Sequence, residues 1–443
     1  MRRALPLLAI ALLAAPAATH ARRAPDAGGV VTLALTKDLA AATREALTHA
    51  PLAELSDASQ APVARAAHPP IPGTRVWSRV LTGITPADDG SSWLLTPGSR
   101  ALTRSLTSCL SAAEDAPWPG RALAAAGVPP TVTASGEGVT VRFPTSVSVL
   151  PELLTGCMLL AEDAATGAFA PDAGGFAGRA DAPGGPPLLD RVVLQAVGRG
   201  SDGADLAVGA ATTEGGSLLV APWPDVLVLV FHDAAREADP LGLRDGRAGF
   251  QRDLAPDLLL AVRHGGRGGG ATHLLPPGVA PDRAAGEGLA PGEAALELQQ
   301  LGIEAPTFAI RAPQADLLAV DVADRLALLL RARGWAAAPS GPDAAGEIVR
   351  WRPPIDDPGL ALLSLAHRLQ LPVPPTDAVA LLGGDRSSRT SAALTLERRW
   401  MDDRRAVPLL TASRWLVAHP RLRGVRLRGD GVPILDDAWW SAP

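Results

Sequence analysis

The side chains most often used for catalysis and metal binding are few in this chain, and their spacing does not suit that chemistry. The chain contains eight histidines: His20, His49, His68, His232, His264, His273, His367 and His419. None of them forms an H-E-x-x-H or H-x-H pattern, which would bring two imidazoles to one metal ion. No G-x-S-x-G segment places a serine nucleophile on a sharp turn. We therefore expect a protein that is not an enzyme, without catalytic residues and without a resident metal or cofactor.

The charged residues exclude two further classes of function. Lys37 is the only lysine and lies in the segment LALTKDLA, so the P-loop pattern G-x-x-x-x-G-K-[ST] is absent. Lysine and arginine together number 41, against 46 for aspartate and glutamate, which gives a formal net charge of −5. A nucleic-acid-binding protein usually carries a basic excess. We expect neither P-loop nucleotide chemistry nor binding to nucleic acid.

The first 21 residues have the pattern of a secretory signal peptide. Arg2 and Arg3 precede an apolar run over residues 5–18, and small residues follow it. The run is shorter than the roughly 20 residues that a membrane-spanning helix needs. No cysteine lies near the cleavage site, and no later segment is apolar enough to span a membrane. The sequence predicts export to the periplasm without a lipid anchor.

Two cysteines, Cys109 and Cys157, are too few for a cysteine-rich zinc module or a disulfide scaffold. In an oxidising compartment they can form one disulfide. Two buried thiols are the alternative, and the sequence leaves both open.

The length of 443 residues suits two or three domains, and the pattern of elements predicts an α/β protein. The apolar run at residues 28–35 reads as a buried strand, the apolar run at 226–231 is too short for a helix and reads as a strand, and residues 188–197 read as a further strand. The clearest unit covers residues 307–352, with a strand, a helix capped by Asp316 and stopped by Gly334, and further strands. Strand, helix and strand at this length predict a βαβ unit in a parallel sheet.

Eight short segments of the chain form an ordered series: residues 28–35, 98–103, 165–169, 186–194, 228–232, 275–278, Trp351 with Asp357-Pro358, and residues 397–410. Taken in this order, they resemble segments of extracellular solute-binding protein family 5, the peptide- and nickel-binding receptors of ABC importers. Each match is short, and their order along most of the chain carries the resemblance.

The resemblance implies a two-lobed periplasmic-binding-protein type II fold, with mixed sheets, flanking helices and interleaved chain segments. After the signal peptide at 1–21, we expect lobe I over 22–232, with a subdomain around 45–130. Lobe II would cover 233–403, and residues 404–443 would return to lobe I. A ligand would lie between the lobes at the carboxyl ends of the strands.

The same resemblance implies where a ligand binds. Trp351 would form an aromatic wall, or alternatively a core residue, while Asp356 and Asp357 would offer carboxylates to a cationic ligand, or form a solvated turn. His232, Thr36 and Trp223 are further candidates, with structural hydrogen bonding, helix capping and packing as their respective alternatives.

One residue departs from the family pattern. In peptide-binding members, an aspartate three residues after the tryptophan pairs with the α-amino group of the peptide, and here that position is Pro354. An ammonium group in a closed cleft needs a charged partner, which proline does not supply.

The resemblance thus predicts a monomeric receptor that passes a peptide or a small-molecule ligand to an ABC transporter permease. A non-transport paralogue of the same fold, acting as an interaction or sensing module, is the main alternative. A secreted serine hydrolase with an unrecognised motif is the remaining one.

Overall fold

The protein is described here by a computed structural model. The described residues are 28–55, 75–161, 165–183, 185–197, 203–208, 216–231, 268–280, 300, 307–339, 344, 346–403 and 405–441. The predicted signal peptide at 1–21 and His232 lie outside these residues.

Eight α-helices lie in the described part of the chain. They are α1 (Lys37–Thr48), α2 (Arg100–Cys109), α3 (Trp118–Ala125), α4 (Leu150–Leu153), α5 (Leu317–Ala332), α6 (Pro358–Leu369), α7 (Pro375–Leu382) and α8 (Arg386–Asp402). A 3₁₀ turn at Leu154–Gly156 follows α4 directly.

The strands up to the middle of the chain are β1 (Val30–Leu35), β2 (Glu54–Leu55), β3 (Val76–Trp77), β4 (Gly83–Pro86), β5 (Ser92–Thr96), β6 (Thr131–Ala134), β7 (Val139–Arg142), β8 (Phe169–Asp172), β9 (Gly175–Gly178), β10 (Arg191–Ala196), β11 (Leu206–Val208) and β12 (Ser217–Val220). Those that follow are β13 (Asp225–Phe231), β14 (Gly268–Gly270), β15 (Thr307–Arg311), β16 (Ala336–Pro339), β17 (Gly346–Trp351), β18 (Ala406–Ala412), β19 (Trp415–Ala418), β20 (Leu422–Arg423), β21 (Arg426–Leu427), β22 (Pro433–Ile434) and β23 (Trp439–Trp440).

A seven-stranded mixed sheet has the order β12-β19-β11-β1-β10-β9-β8. Its central strand β1 runs parallel to both β10 and β11. Strands β8 and β9 form an antiparallel hairpin at one edge of this sheet. Helix α1, the C-terminal segment and this sheet share one hydrophobic core, in which Leu33, Leu47 and Leu435 are buried.

A six-stranded mixed sheet has the order β14-β18-β13-β17-β15-β16. Strand β15 pairs in parallel with β16 and with β17, and α5 connects β15 to β16. This confirms the βαβ unit. The Asp316 carboxylate accepts hydrogen bonds from the Leu318 and Ala319 backbone N–H groups at 3.1 and 3.2 Å, as a helix cap should.

The position of strand β13 between two cores explains why its sequence is apolar without interruption. Val226, Val228 and Val230 point into a large core that also contains the four-stranded sheet β4-β5-β7-β6 and helices α6 to α8. Leu227 and Leu229 point to the opposite face, into a core with α5. Because both faces are covered, the strand lacks the alternation of a half-exposed strand.

Within the described residues, the chain passes between the two large sheets twice. Residues 221–224 connect β12 in the seven-stranded sheet to β13 in the six-stranded sheet, and residues 413–414 connect β18 back to β19. The predicted lobe boundaries at 232 and 404 lie one strand after the first passage and one strand before the second. The residue ranges of the two lobes stay a prediction.

A buried carboxylate joins the two passages. Asp225, at the start of β13, is 1% exposed, and its oxygens lie 2.6 Å from Arg350 Nε and 2.9 Å from Arg352 Nε. Arg414, in the second passage, lies 3.7 Å from the same carboxylate. Three arginines thus compensate the burial of one charge where both connections lie side by side.

Candidate functional site

A cavity of about 1100 Å³ lies where the core of the seven-stranded sheet meets the larger core. Helix α1 and the hairpin of β21 and β22 form one side, while α2 and α3 form the other. The first passage and the segment after β17 complete the wall. Such a volume is of the order of known small-molecule sites, which run from roughly 300 to 1,000 Å³.

Charged residues of both signs line this cavity. Among the described residues they are Glu45, Glu54, Arg75, Arg121, Asp356, Arg426, Arg428, Asp430 and Asp436. A lining of this kind suits a polar or charged ligand better than a purely apolar one.

Glu54 belongs to a group of four charged side chains, called here the Glu54 cluster: Glu54, Arg79, Arg426 and Asp437. Arg79 Nε lies 3.3 Å from Glu54 and Arg426 Nη2 lies 3.5 Å from it, while both arginines donate hydrogen bonds to Asp437, at 3.0 and 3.2 Å. Glu54 is the first residue of β2 and Arg79 follows β3, both beside the large core, whereas Arg426 and Asp437 come from the C-terminal segment. The cluster therefore bridges the two sides of the cavity.

Burial raises the pKa of Glu54 from its ordinary value of 4.5 to about 7. The nearby guanidinium groups of Arg79 and Arg426 act in the opposite direction but only partly offset the loss of solvation, and Asp436 and Asp437 add to the rise. A carboxyl group that titrates near neutral pH thus lies on the cavity wall.

Asp356 and Pro354 both line the cavity just after β17. Arg75 Nη2 lies 2.7 Å from the Asp356 carboxylate, and Arg386 lies 3.5 Å from it. Asp356 is therefore already paired with arginine on the cavity wall, and Pro354 contributes no charge.

The disulfide and helix α3 form another part of the wall. Cys109 and Cys157 are bonded, with their Cα atoms 5.5 Å apart, and Cys109 lines the cavity beside Ser108. Trp118 and Arg121, from α3, face the same space. Of the two alternatives that the sequence left open for these cysteines, the structure contains the disulfide.

Solved structures with the same arrangement of elements are ABC-transporter substrate-binding proteins. The oligopeptide-binding protein AppA from Bacillus subtilis, in complex with a nonapeptide, matches with a TM-score of 0.71 at 10% identity, covering 95% of this chain and 100% of that one. DppA from Helicobacter pylori, in complex with the peptide STSA, gives a TM-score of 0.70 at 12% identity and covers 94% and 99%. NikA from Brucella suis, in complex with Fe(III)-EDTA, gives 0.69 at 14% identity and covers 93% and 100%.

The chain has the two-lobed fold of these substrate-binding proteins. The match extends over nearly the whole length of both chains, which confirms the fold that the sequence predicted. No family model matches the sequence, and no curated protein does. At such low identity the fold is retained while most side chains differ, so the ligand must be inferred from the residues of this chain.

Two of the predicted site residues line the cavity of this substrate-binding-protein fold, namely Trp223 and Asp356. Trp223 is 8% exposed, and its indole N–H donates a hydrogen bond to the Pro353 carbonyl at 2.6 Å. Its ring lies against Gly429 of the C-terminal hairpin.

The other described candidates lie elsewhere. Trp351 is 3% exposed in β17, and its indole N–H has no acceptor among the described residues. Asp357 caps α6 through the Leu360 N–H at 3.1 Å and pairs with Arg389 at 2.8 Å. Thr36 precedes α1, is exposed, and makes no capping hydrogen bond with its side chain. None of the three is a lining residue of the cavity as described.

Sequence reasoning did not single out the arginines of the cavity. Arg75, Arg121, Arg426 and Arg428 line it, yet no local pattern separates them from the chain's many other arginines. Their position on one cavity follows only from the packing of distant segments.

We expect Gly429→Ala to lower the free energy of unfolding by about 1–3 kcal/mol. A Cβ atom at this position would overlap the Trp223 ring, so the ring or the hairpin must move. Chemical denaturation of the variant measures the effect. Gly136→Ala is the matched control, because a Cβ there meets no atom within 4 Å; an equal, small effect of both changes would contradict this packing.

Because the pKa of Glu54 is raised in the folded chain, we expect the free energy of unfolding to depend on pH. Between pH 4.5 and about 7 the folded chain retains a proton on Glu54 that the unfolded chain releases. The contribution of this group to folding is thus fully present below pH 4.5 and is lost as the pH rises through about 7.

Denaturation of wild type and Glu54→Gln at pH 5 and pH 8 measures this contribution. Raising the pH should destabilise wild type more than Glu54→Gln, by up to about 3 kcal/mol, since the amide does not titrate. The same change in both proteins would contradict the expectation.

Proposed function

We propose that this protein captures a small polar solute, an oligopeptide or a similar ligand, between its two lobes and delivers it to the permease of an ABC transporter. The observation that carries the proposal is the charged cavity between the two cores, beside the passages that connect the sheets. The peptide complexes named for two of the similar structures support the same class of ligand.

The two passages suggest how binding would be signalled. Rotation of one sheet and its helices about residues 221–224 and 413–414 would open and close the cavity. A ligand that contacts both sides favours the closed form only by its differential affinity, and moving a 1:99 ratio to 99:1 needs about 5.5 kcal/mol. Closure would thus present the occupied form to the permease.

The proposed setting follows from the same function. We propose that the protein acts in the periplasm, as a monomer and without enzymatic activity, which agrees with the signal peptide that the sequence predicts. In the described part of the chain, no helix combines the length and apolar character that crossing a membrane requires.

A thermal-shift screen with di- to pentapeptides, free amino acids and nickel complexes tests the proposal. A ligand at 100 times its dissociation constant stabilises the folded state by about 2.7 kcal/mol, which gives a clear rise in melting temperature. At least one class should stabilise the protein. If no compound raises the melting temperature, the receptor function fails and a non-transport role of the same fold becomes the better explanation.

A further inference from the structure

The carboxylates of the cavity wall are mostly engaged by arginines of the protein itself. Three pairs show this: Asp356 with Arg75 at 2.7 Å, Glu54 with Arg426 at 3.5 Å, and Asp430 with Arg428 at 2.6 Å. Asp436 also has an interaction partner. Glu45, on α1, is exposed at the edge of the cavity, where water screens its charge.

Arg121 is in the opposite situation. Its side chain lines the cavity from α3 and is half-buried, and none of the described carboxylates forms an ion pair with it. The nearby ionisable groups from α6 are basic. Burial and the Arg368 guanidinium lower the pKa of Arg121, and burial and Arg121 lower the pKa of His367. The Glu114 carboxylate acts on His367, whose pKa it raises against the larger lowering by burial and by Arg121.

This imbalance decides which ligand charge the cavity can accept. An ammonium group entering it loses water and, apart from the exposed Glu45, meets carboxylates that already have partners, so binding inside the cavity requires breaking an existing pair. A carboxylate meets a guanidinium without such a partner, whose planar N–H groups can form two parallel hydrogen bonds with it. A ligand carboxylate therefore compensates a charge that the described residues leave uncompensated.

We propose that the cavity binds its ligand through a carboxylate that pairs with Arg121, and that it does not require an α-ammonium group on the ligand. This inference rests on the proposed receptor function and narrows its ligand class to organic carboxylates, including peptides with a blocked amino terminus. Pro354, which lines the same cavity, is consistent with it because it offers an ammonium no partner.

Matched derivatives test the two ends of the ligand separately. The probes are the di- to pentapeptides of the screen in free, N-acetylated and C-amidated forms, together with straight-chain carboxylates and the corresponding amides and amines. Titration calorimetry should show that acetylation changes the dissociation constant less than threefold, while amidation weakens binding at least tenfold. Loss of binding on acetylation, with amidation tolerated, would overturn the inference.

Variants then assign the effect to one side chain. Arg121→Ala should weaken the carboxylate form at least tenfold and leave the amide form unchanged, and Arg121→Lys should restore part of the loss. Arg399→Ala is the control, because Arg399 is an exposed arginine on α8, paired with Asp377 outside the cavity. Equal affinity of wild type and Arg121→Ala for the carboxylate would also overturn the inference.

The experiments distinguish a failure of the carboxylate anchor from a failure of the receptor function. Stabilisation only by amines or by amidated peptides leaves the receptor function standing and refutes the carboxylate anchor. Stabilisation by none of the probes contradicts the receptor function and the anchor together.

Discussion

Replacing Cys109 and Cys157 together by alanine is expected to lower the free energy of unfolding by about 4 kcal/mol. The two residues are 48 positions apart, and a cross-link over a loop of this length removes much conformational freedom from the unfolded chain. Both side chains are buried in the large core, so the variant also loses packing there. Chemical denaturation under non-oxidising and oxidising conditions measures the difference.

Adding a reductant to both proteins provides the internal control for this result. Wild type should lose most of the same stability when the disulfide is reduced, whereas the double-alanine variant should not respond. A variant as stable as oxidised wild type, or a wild type indifferent to reductant, would show that the bond is absent or unimportant.

Asp357→Ala is expected to destabilise the protein by about 3–5 kcal/mol, the range for breaking a buried ion pair from one side. The Asp357 side chain is 1% exposed and that of Arg389 is 6% exposed, with 2.8 Å between Asp357 Oδ2 and Arg389 Nη2. The change also removes the cap of α6 and leaves a guanidinium charge buried between α6 and α8 without its carboxylate.

Asp377→Ala is the matched control, since it breaks the more exposed pair of Asp377 with Arg399. That loss should not exceed about 1 kcal/mol. Similar small losses for both variants in chemical denaturation would contradict the assignment of Asp357 as a buried structural residue.

The sequence predicted those parts of the fold whose pattern depends on local neighbours. The strand β13 was recognisable because burial on both faces requires an uninterrupted apolar run. The βαβ unit around α5 was recognisable because the apolar residues of the helix recur with helical periodicity. Helices α6 and α7 were not recognised, since each begins at a proline, Pro358 and Pro375, that reads as a turn signal as easily as a first helical residue.

The candidate site was less predictable because it depends on segments that are distant in sequence. Trp223 and Asp356 were singled out and do line the cavity, yet the same reasoning could not tell that Trp351 is packed inside. Arg121 gave no signal at all, since its proposed role depends on having no carboxylate partner among the described residues, which only the folded arrangement reveals.

The separation of Asp356 from Asp357 illustrates the same limit. These adjacent carboxylates looked equivalent as ligands for a cation, but Asp356 lines the cavity and Asp357 is buried as the cap of α6. Their roles differ because Asp356 pairs with the partly exposed Arg75, whereas Asp357 pairs with the buried Arg389.

Two neighbouring residues of α2 provide the most direct test of the cavity as the ligand site. Both are exposed, but Ser108 lines the cavity and Thr107 lies outside its lining. Titration calorimetry with the best compound of the thermal-shift screen should give one site per chain for wild type and Thr107→Trp. Ser108→Trp should bind at least 30-fold more weakly, because the indole occupies the cavity. Equal affinity of all three proteins, or no binding to wild type, would contradict the account.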